Sequence, residues 1–375
     1  MRRFGILVVL LAGMMAGCGP GASVPATASP PPATMVSTEA PTMAPTEMAS
    51  SPTPAGPAVT FTLAVDTPVV THGPAGDFDG RYTDPGAAGF VDGKFQMFPN
   101  GFASWPAKVG VGHAVSSDGL HWSREGDQPL FTQDGVDYAG FTLLASSILK
   151  VGDQYVLYFY TWDSQYSAAS SKIGRATAPD LNGPWTADPE PVLEAGPKGA
   201  WDSFTVLAPS VVTTEHGYVM YYTGGGLTSD NPWRIGRATS TDGVHWTKYD
   251  DPSTSAEPFA ESDPVFSPAD DGSAWDGSFV QQPRVQLTPD GWVMLYRSGA
   301  GAAGKLGLAL SDDGIHWARF DGNPVLAPQV VPGGRAIWYT DLVYQAGTYF
   351  LYFELGNGSE TNVYVATHQG ALAAP

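Results

Sequence analysis

Five times between Pro85 and Phe353 the chain passes from a run of apolar and small residues, through a turn, into a run rich in aromatic residues. The copies read PGAAGFVDGKFQMF, SSILKVGDQYVLYF, PSVVTTEHGYVMYY, PRVQLTPDGWVMLY and TDLVYQAGTYFLYF. Short runs of this kind, bounded by turn residues, predict paired antiparallel strands. After each of the first four comes a second repeated unit: VGHAVSSDGLHW, IGRATAPDLNGPW, IGRATSTDGVHW and LGLALSDDGIHW. These end at Trp122, Trp185, Trp246 and Trp317, spaced 63, 61 and 71 residues apart, and a partial fifth copy, NVYVATHQG, follows the last hairpin.

Short apolar segments after each tryptophan, Gln128 to Phe131, Pro191 to Leu193, Pro264 to Phe266 and Pro324 to Leu326, are expected to supply a fourth strand. Five such units, on the order of 63 residues each, account for residues 59–375 and predict an all-β, five-bladed propeller of four-stranded antiparallel blades. The period is too long for WD40 or kelch repeats. The last unit lacks a fourth strand, while the first is preceded by a spare one, Val59 to Val65. That segment is expected to pair into the final blade and close the ring, which removes an exposed strand edge.

The repeat also says which polar residues to read as structural. Asp118, Asp242 and Asp313 precede glycine in the S-x-D-G-x-H-W turns, where an Asx side chain caps the turn, and His121, His245 and His316 sit in the same turns. Trp201-Asp202 and Trp275-Asp276 recur seven residues ahead of a proline, and their carboxylates are read in the same way. Three aromatics fall outside the repeat: Trp105, Trp162 and Trp233, each in the connection from second to third strand. Those connections share a rim with the start of the innermost strand. There an indole either packs its own loop or offers a flat face to a ligand.

Before the repeats, Arg2 and Arg3 precede an apolar run from Phe4 to Met15, followed by Ala16, Gly17 and Cys18. This reads as a signal peptide over 1–17, too short for a membrane span. Its end resembles the lipobox of bacterial lipoproteins. The resemblance implies lipidation of Cys18, the one cysteine of the sequence, and an extracytoplasmic protein anchored to the cell membrane. Residues 19 to 58 are almost wholly Pro, Thr, Ser, Ala, Met and Gly, which predicts a disordered tether over 18–58 ahead of a propeller over 59–375.

The formal net charge of −19 argues against nucleic acid or an anionic membrane surface as partner. A neutral ligand or a cation suits it better, and a monomer is expected. No EF-hand or HExxH spacing occurs, so no metal or other cofactor is assigned. Structural calcium stays open, in an acidic funnel or at Asp270-Asp271, because hard cations take carboxylate and carbonyl oxygens.

The stretch TDPGAAGFVDGKFQMF, from Thr83 to Phe98, resembles the first blade of glycoside hydrolase family 43. The S-x-D-G-x-H-W turns resemble those of the wider clan of arabinanase, levansucrase and invertase propellers, over about residues 60 to 370. The resemblance implies a carbohydrate ligand and three carboxylates on innermost strands: a base or nucleophile, an orienting aspartate and a general acid. Asp84 matches the first. Ala208 stands where the orienting aspartate is expected and Gln281 where the acid is expected, and in blade two, where the family often reads W-A-P-D, this chain has Leu144 to Ser147.

Three classes of function follow. A glycosidase needs a second carboxyl group to work with Asp84, and Asp341, Glu354, Asp77 and Asp79 are available. Asp341 lies two positions after Tyr339, which is aligned with Asp84, and either serves the site or makes a hydrogen bond within blade five. A glycan-binding propeller without catalysis would use Trp105, Trp162 and Trp233, with Gln281, Gln282 and Arg284 to meet hydroxyls. Arg297 and Glu354 occupy equivalent positions in neighbouring blades and are candidates to pair. A phosphorolytic propeller similar to family 130 glycoside phosphorylases would need a basic cluster near Asp84, for which Arg81, His113, Arg284 and Arg297 are candidates.

Overall fold

Each glycine-containing hairpin of the sequence forms the inner two strands of one antiparallel sheet, and five such sheets make a five-bladed propeller. The computed structural model describes residues 61–165, 167–226, 228, 230–299, 304–356 and 359–372. The signal peptide expected over 1–17, Cys18, the tether over 18–58 and the start of the closing strand, Val59 and Thr60, lie outside the described residues.

The innermost strands are Tyr82–Val91, Thr142–Val151, Val206–Thr214, Gln281–Thr288 and Ala336–Gln345. Each lies against the inner strands of its two neighbours, with blade five beside blade one. The second strands, Lys94–Phe102, Gln154–Trp162, Gly217–Gly224, Gly291–Ser298 and Thr348–Gly356, are buried over most of their length. Burial on both faces explains why these strands read as aromatic runs rather than as strict alternation of apolar and polar residues.

Thr62–Leu63 pairs antiparallel with Thr361–Gln369, Thr62 opposite Thr367. The amino-terminal end of the propeller thus supplies the outer strand of blade five. The outer position of the other blades differs in detail from the expectation. The strand that follows each tryptophan, such as Thr247–Lys248, pairs with the end of the third strand, while the apolar segment expected to fill the fourth position, such as Pro264–Phe266, pairs with its beginning. The fourth strand is split in two because the loop between its halves leaves the sheet and returns.

Two repeated contacts join the blades. Tyr352, Tyr158 and Tyr221 donate their hydroxyls to the carbonyls of Gly119, Gly243 and Gly314 in the turn of the following blade, at 2.9, 2.8 and 2.7 Å. The tryptophan ending that turn packs edge-on against the same tyrosine, with ring centroids 5.5, 6.0 and 5.6 Å apart for Trp122, Trp246 and Trp317. Blade one presents Phe98 at this place to Trp185, so the ring contact remains without the hydroxyl. Inside blades three and four, Asp202 and Asp276 are buried and bind Lys248 and Arg319 of the fourth strand at 2.6 and 2.7 Å, and they accept from Tyr222 and Tyr296. Asp79 meets Arg124 in the same way in blade one. Blade two has Ala139 and Ala187 there and no such pair.

Candidate functional site

The two-residue turns fix the register of the hairpins, and with it the levels of the ring. Seven residues before the ends of the inner strands stand Asp84, Leu144, Leu207, Gln281 and Trp338. Trp338, not Tyr339, therefore shares the level of Asp84; the copies ending at Phe98 and Phe353, set side by side along their length, carry their turns one residue out of step. Opposite this level, six residues into each second strand, are Asn100, Tyr160, Thr223, Arg297 and Glu354. All five are polar, all are buried, and no two are alike.

Asp84 is fully buried. Its Oδ1 accepts from the Gly86 amide at 2.7 Å and from Asn100 Nδ2 at 2.9 Å, while its Oδ2 has no partner. Burial pushes its pKa up to about 7, against the pull of those two donors and of Arg284, with Asp341 adding to the rise. Glu354 is also buried and keeps Oε2 unpartnered. Burial, then the charge of Asp84, holds its pKa well above the usual carboxylate range; Thr361 and Arg297 oppose this. Two carboxyl groups from blades one and five thus face one electrostatic site, each with a free oxygen.

Asp341 sits differently. Its Oδ2 accepts from the Ala88 amide at 2.6 Å and its Oδ1 from the Leu342 amide at 2.8 Å, with Arg284 Nε at 3.7 Å. The same level in blades two and three holds Ser147 and Ser210, whose hydroxyls accept from the amides of Val211 and Val285 in the next blade. Asp341 is thus the member of this set that joins blade five to blade one. The hydrogen bond expected inside blade five is made to the Leu342 amide, and a second one crosses the ring junction to Ala88. Burial raises its pKa to about 6.

Arg284, at the same level in blade four, lies across the middle of the ring. Nε reaches the Thr340 carbonyl at 2.5 Å and Nη1 reaches Ser146 Oγ at 2.9 Å. Arg297 donates to the Ile337 carbonyl at 2.8 Å and lies over the Trp338 ring, 5.2 Å from its centroid, rather than closing an ion pair with Glu354. Its pKa falls to about 10 through burial, with Tyr339 and Glu354 opposing. Tyr339, half-buried, lies beside Tyr160, and both phenols feel the charge of Asp84.

No protein-family model matches the sequence, and no curated protein matches it. Solved structures do match. One is described with the GH130 family of mannoside phosphorylases, said to contain glycoside hydrolases that target β-1,2 mannosidic linkages in Candida mannan; it is 20% identical, with a TM-score of 0.61 over 84% of this chain and 95% of the other. A putative glycosidase from Bacteroides thetaiotaomicron matches at 19% identity and a TM-score of 0.61, covering 81% and 96%. A thermostable family-43 glycoside hydrolase matches at 13% identity and a TM-score of 0.57, covering 79% and 91%. The chain has the fold of the five-bladed glycoside-hydrolase propellers.

Within that glycoside-hydrolase propeller fold, the rim beside Asp84 carries two of the three tryptophans together. Trp105, 48% exposed, packs edge-on against Trp162 with centroids 5.4 Å apart. With Phe102 and Leu144 they line a narrow cleft. Trp233 stands apart, against Phe279 between blades three and four. Gln281 and Gln282 are buried; Gln282 has a φ of 53°, uncommon for a residue with a side chain, and an unpartnered Oε1. Of the basic candidates, His113 stacks on Phe98 and bonds to Asn182 and Gln96, and Arg81 is exposed and donates to the Ser359 carbonyl. Among the described residues no group of three or more His, Cys, Asp or Glu side chains is placed to hold a metal ion. At Asp270-Asp271, the Asp271 carboxylate accepts from Ser273.

Sequence reasoning missed Asn100, Tyr160 and Thr223. The signal that finds them is disagreement among repeats: a position buried and polar in every copy, yet different in each, is not serving the repeat.

Proposed function

We propose that the protein hydrolyses glycosidic bonds in oligo- or polysaccharides, with Asp84 as the ionised carboxylate and Glu354 as the acid. The observation that carries this reading is the buried pair itself, in which each group keeps one oxygen free, burial pushes both upward, and the charge of Asp84 raises the proton affinity of Glu354 further. With burial pushing both carboxyl groups upward, one of the two can stay protonated near neutral pH while the other is ionised. Asp84, supported by Asn100, the Gly86 amide and Arg284, is the member that ionises. Glu354 keeps the proton and donates it to the leaving oxygen, while Asp84 attacks the sugar or activates water. Trp105 and Trp162 offer a ring face and edge to the pyranose beside the bond.

The test is a screen of the protein on fragments of mannan, arabinan, xylan and fructan, β-1,2-linked mannan first, with Asp84→Asn and Glu354→Gln beside it. Release of reducing ends by the wild type and loss of about 10²-fold or more in both variants supports the reading. Glycan affinity without turnover, weakened by Trp105→Ala, supports a binding propeller instead. Cleavage that depends on inorganic phosphate supports the phosphorolytic reading, for which Arg284 and Arg297 are the basic groups near Asp84. The proposed setting is extracytoplasmic, with Cys18 lipid-modified; labelled fatty acid that fails to enter a Cys18→Ser variant checks it.

A further inference from the structure

We propose that Asn100 is the positioning residue of the site, fixing the Asp84 carboxyl so that Oδ2 alone faces the reacting group. The carboxamide is 2% exposed and its orientation is dictated on three sides. Its Oδ1 accepts from the Ala145 amide at 2.8 Å, and Nδ2 donates to the Ala145 carbonyl at 3.2 Å and to Asp84 Oδ1 at 2.9 Å. Turning the group over would set its oxygen against a carboxylate and a carbonyl, two acceptors. Asn100 is therefore locked by blade two in the one orientation that offers Asp84 a donor.

The Gly86 amide holds the same Asp84 oxygen at 2.7 Å. Two donors on Oδ1 and none on Oδ2 set the plane of the carboxyl group and leave one oxygen to act. In the resembled enzymes an acidic side chain is expected to orient the site; here Leu144, Leu207, Gln281 and Trp338 share the level of Asp84, and none is acidic. A neutral amide does this without adding a further negative charge to a place already holding Asp341 and Glu354. The other groups bearing on Asp84 are Arg284 from blade four, Tyr160 from blade two and Tyr339 from blade five.

This inference rests on the catalytic reading of Asp84, but its first readout does not need turnover. Full-length protein carrying ¹³C-labelled aspartate carboxyls is titrated by NMR, with the Asp84 signal assigned through Asp84→Asn. In Asn100→Ala the Asp84 midpoint moves up by about one unit, because a donor to its charged form is gone. In Asn100→Asp, which keeps the acceptor for the Ala145 amide, it moves up further. Asn100→Ser, a shorter donor, falls between wild type and alanine and serves if the alanine variant does not fold. On a cleaved substrate, the rising limb of kcat/KM against pH moves with the midpoint, and kcat falls about tenfold with KM little changed. A midpoint unmoved in both folded variants, alanine and aspartate, or in serine and aspartate, overturns the proposal. A midpoint that moves in a protein that cleaves no glycoside leaves Asn100 in its role and removes the hydrolytic reading alone.

Discussion

At the base of the ring, Ser116, Ser240 and Ser311 accept from Gly119, Gly243 and Gly314 at 2.9 Å in each case, and Asp118, Asp242 and Asp313 take the next two amides and the histidine that follows. These three copies make the same bonds, while the turn of blade two, without the serine and histidine, has the Asn182 amide on Asp180 instead. At the mouth, Asn100, Tyr160, Thr223, Arg297 and Glu354 occupy one level and make five different sets of contacts. Buried oxygens of Asp84, Gln282, Thr340 and Glu354 are left without protein partners there. Buried polar groups are ordinarily satisfied. Bonding repeated from turn to turn at one end, and varied bonding that leaves buried carboxyl oxygens unmet at the other, separates the part that builds the ring from the part available to a ligand.

The comparison can be broken most sharply at Asp84. Asp84→Asn should abolish cleavage, by about 10³-fold, while leaving the midpoint of thermal unfolding at pH 8 unchanged or higher, because a buried acid is replaced by a neutral group. Calorimetry beside a turnover assay reads both; a large loss of stability would make Asp84 a structural residue. The converse is expected at Asp202. Asp202→Ala leaves Lys248 and the Tyr222 hydroxyl without their partner and should cost about 3 kcal/mol, read by denaturant unfolding, with no change in kcat for whatever protein remains folded.

Smaller effects grade the same contrast. Tyr158→Phe and Tyr221→Phe each remove one hydroxyl from a turn carbonyl and should cost about 1 kcal/mol apiece. The two are expected to add, since they serve different junctions. Trp105→Ala should leave stability nearly untouched and raise KM severalfold, which tests whether the exposed indole is a sugar platform.

The pH dependence of stability separates the two ends as well. Asp84, near 7, and Asp341, near 6, lie above their ordinary 3.8, so the folded protein holds protons that the unfolded chain has released. Their contribution is present at acid pH and lost as pH rises from about 4 to about 7. The turn aspartates lie below their ordinary value, held down chiefly by the histidine beside each, and stabilise above it. Their share is lost as pH falls through about 4 and below. Unfolding midpoints should therefore be higher at about pH 5 than at pH 8, and Asp84→Asn should flatten that slope.

The base was legible in the sequence because its bonds span two or three residues and recur: Ser, Asp, Gly and Trp at constant spacing declare both the turn and its register. The ring closure was legible from an unpaired strand at each end of the repeat. The mouth was legible only at Asp84, where a motif surrounds it, and in the equivalence of Arg297 and Glu354. Asn100 reaches Ala145, Arg284 reaches Ser146 and Thr340, and Asp341 reaches Ala88. Contacts between blades, far apart in the chain, leave no local pattern. Tyr339 was misplaced by one residue because the copies of blades one and five match along their length while their turns lie one residue out of step.

Blade five is a seam, woven from both ends of the propeller: among the described strands Thr62–Leu63 is the first to leave the ribosome, and its partner Thr361–Gln369 the last. Four blades can take shape as they emerge, yet the annulus cannot lock until the Thr361–Gln369 strand has been made. Truncations at the carboxyl end should therefore leave an open, association-prone arc rather than a smaller propeller, because the strand waiting at the amino end would be left as a bare edge.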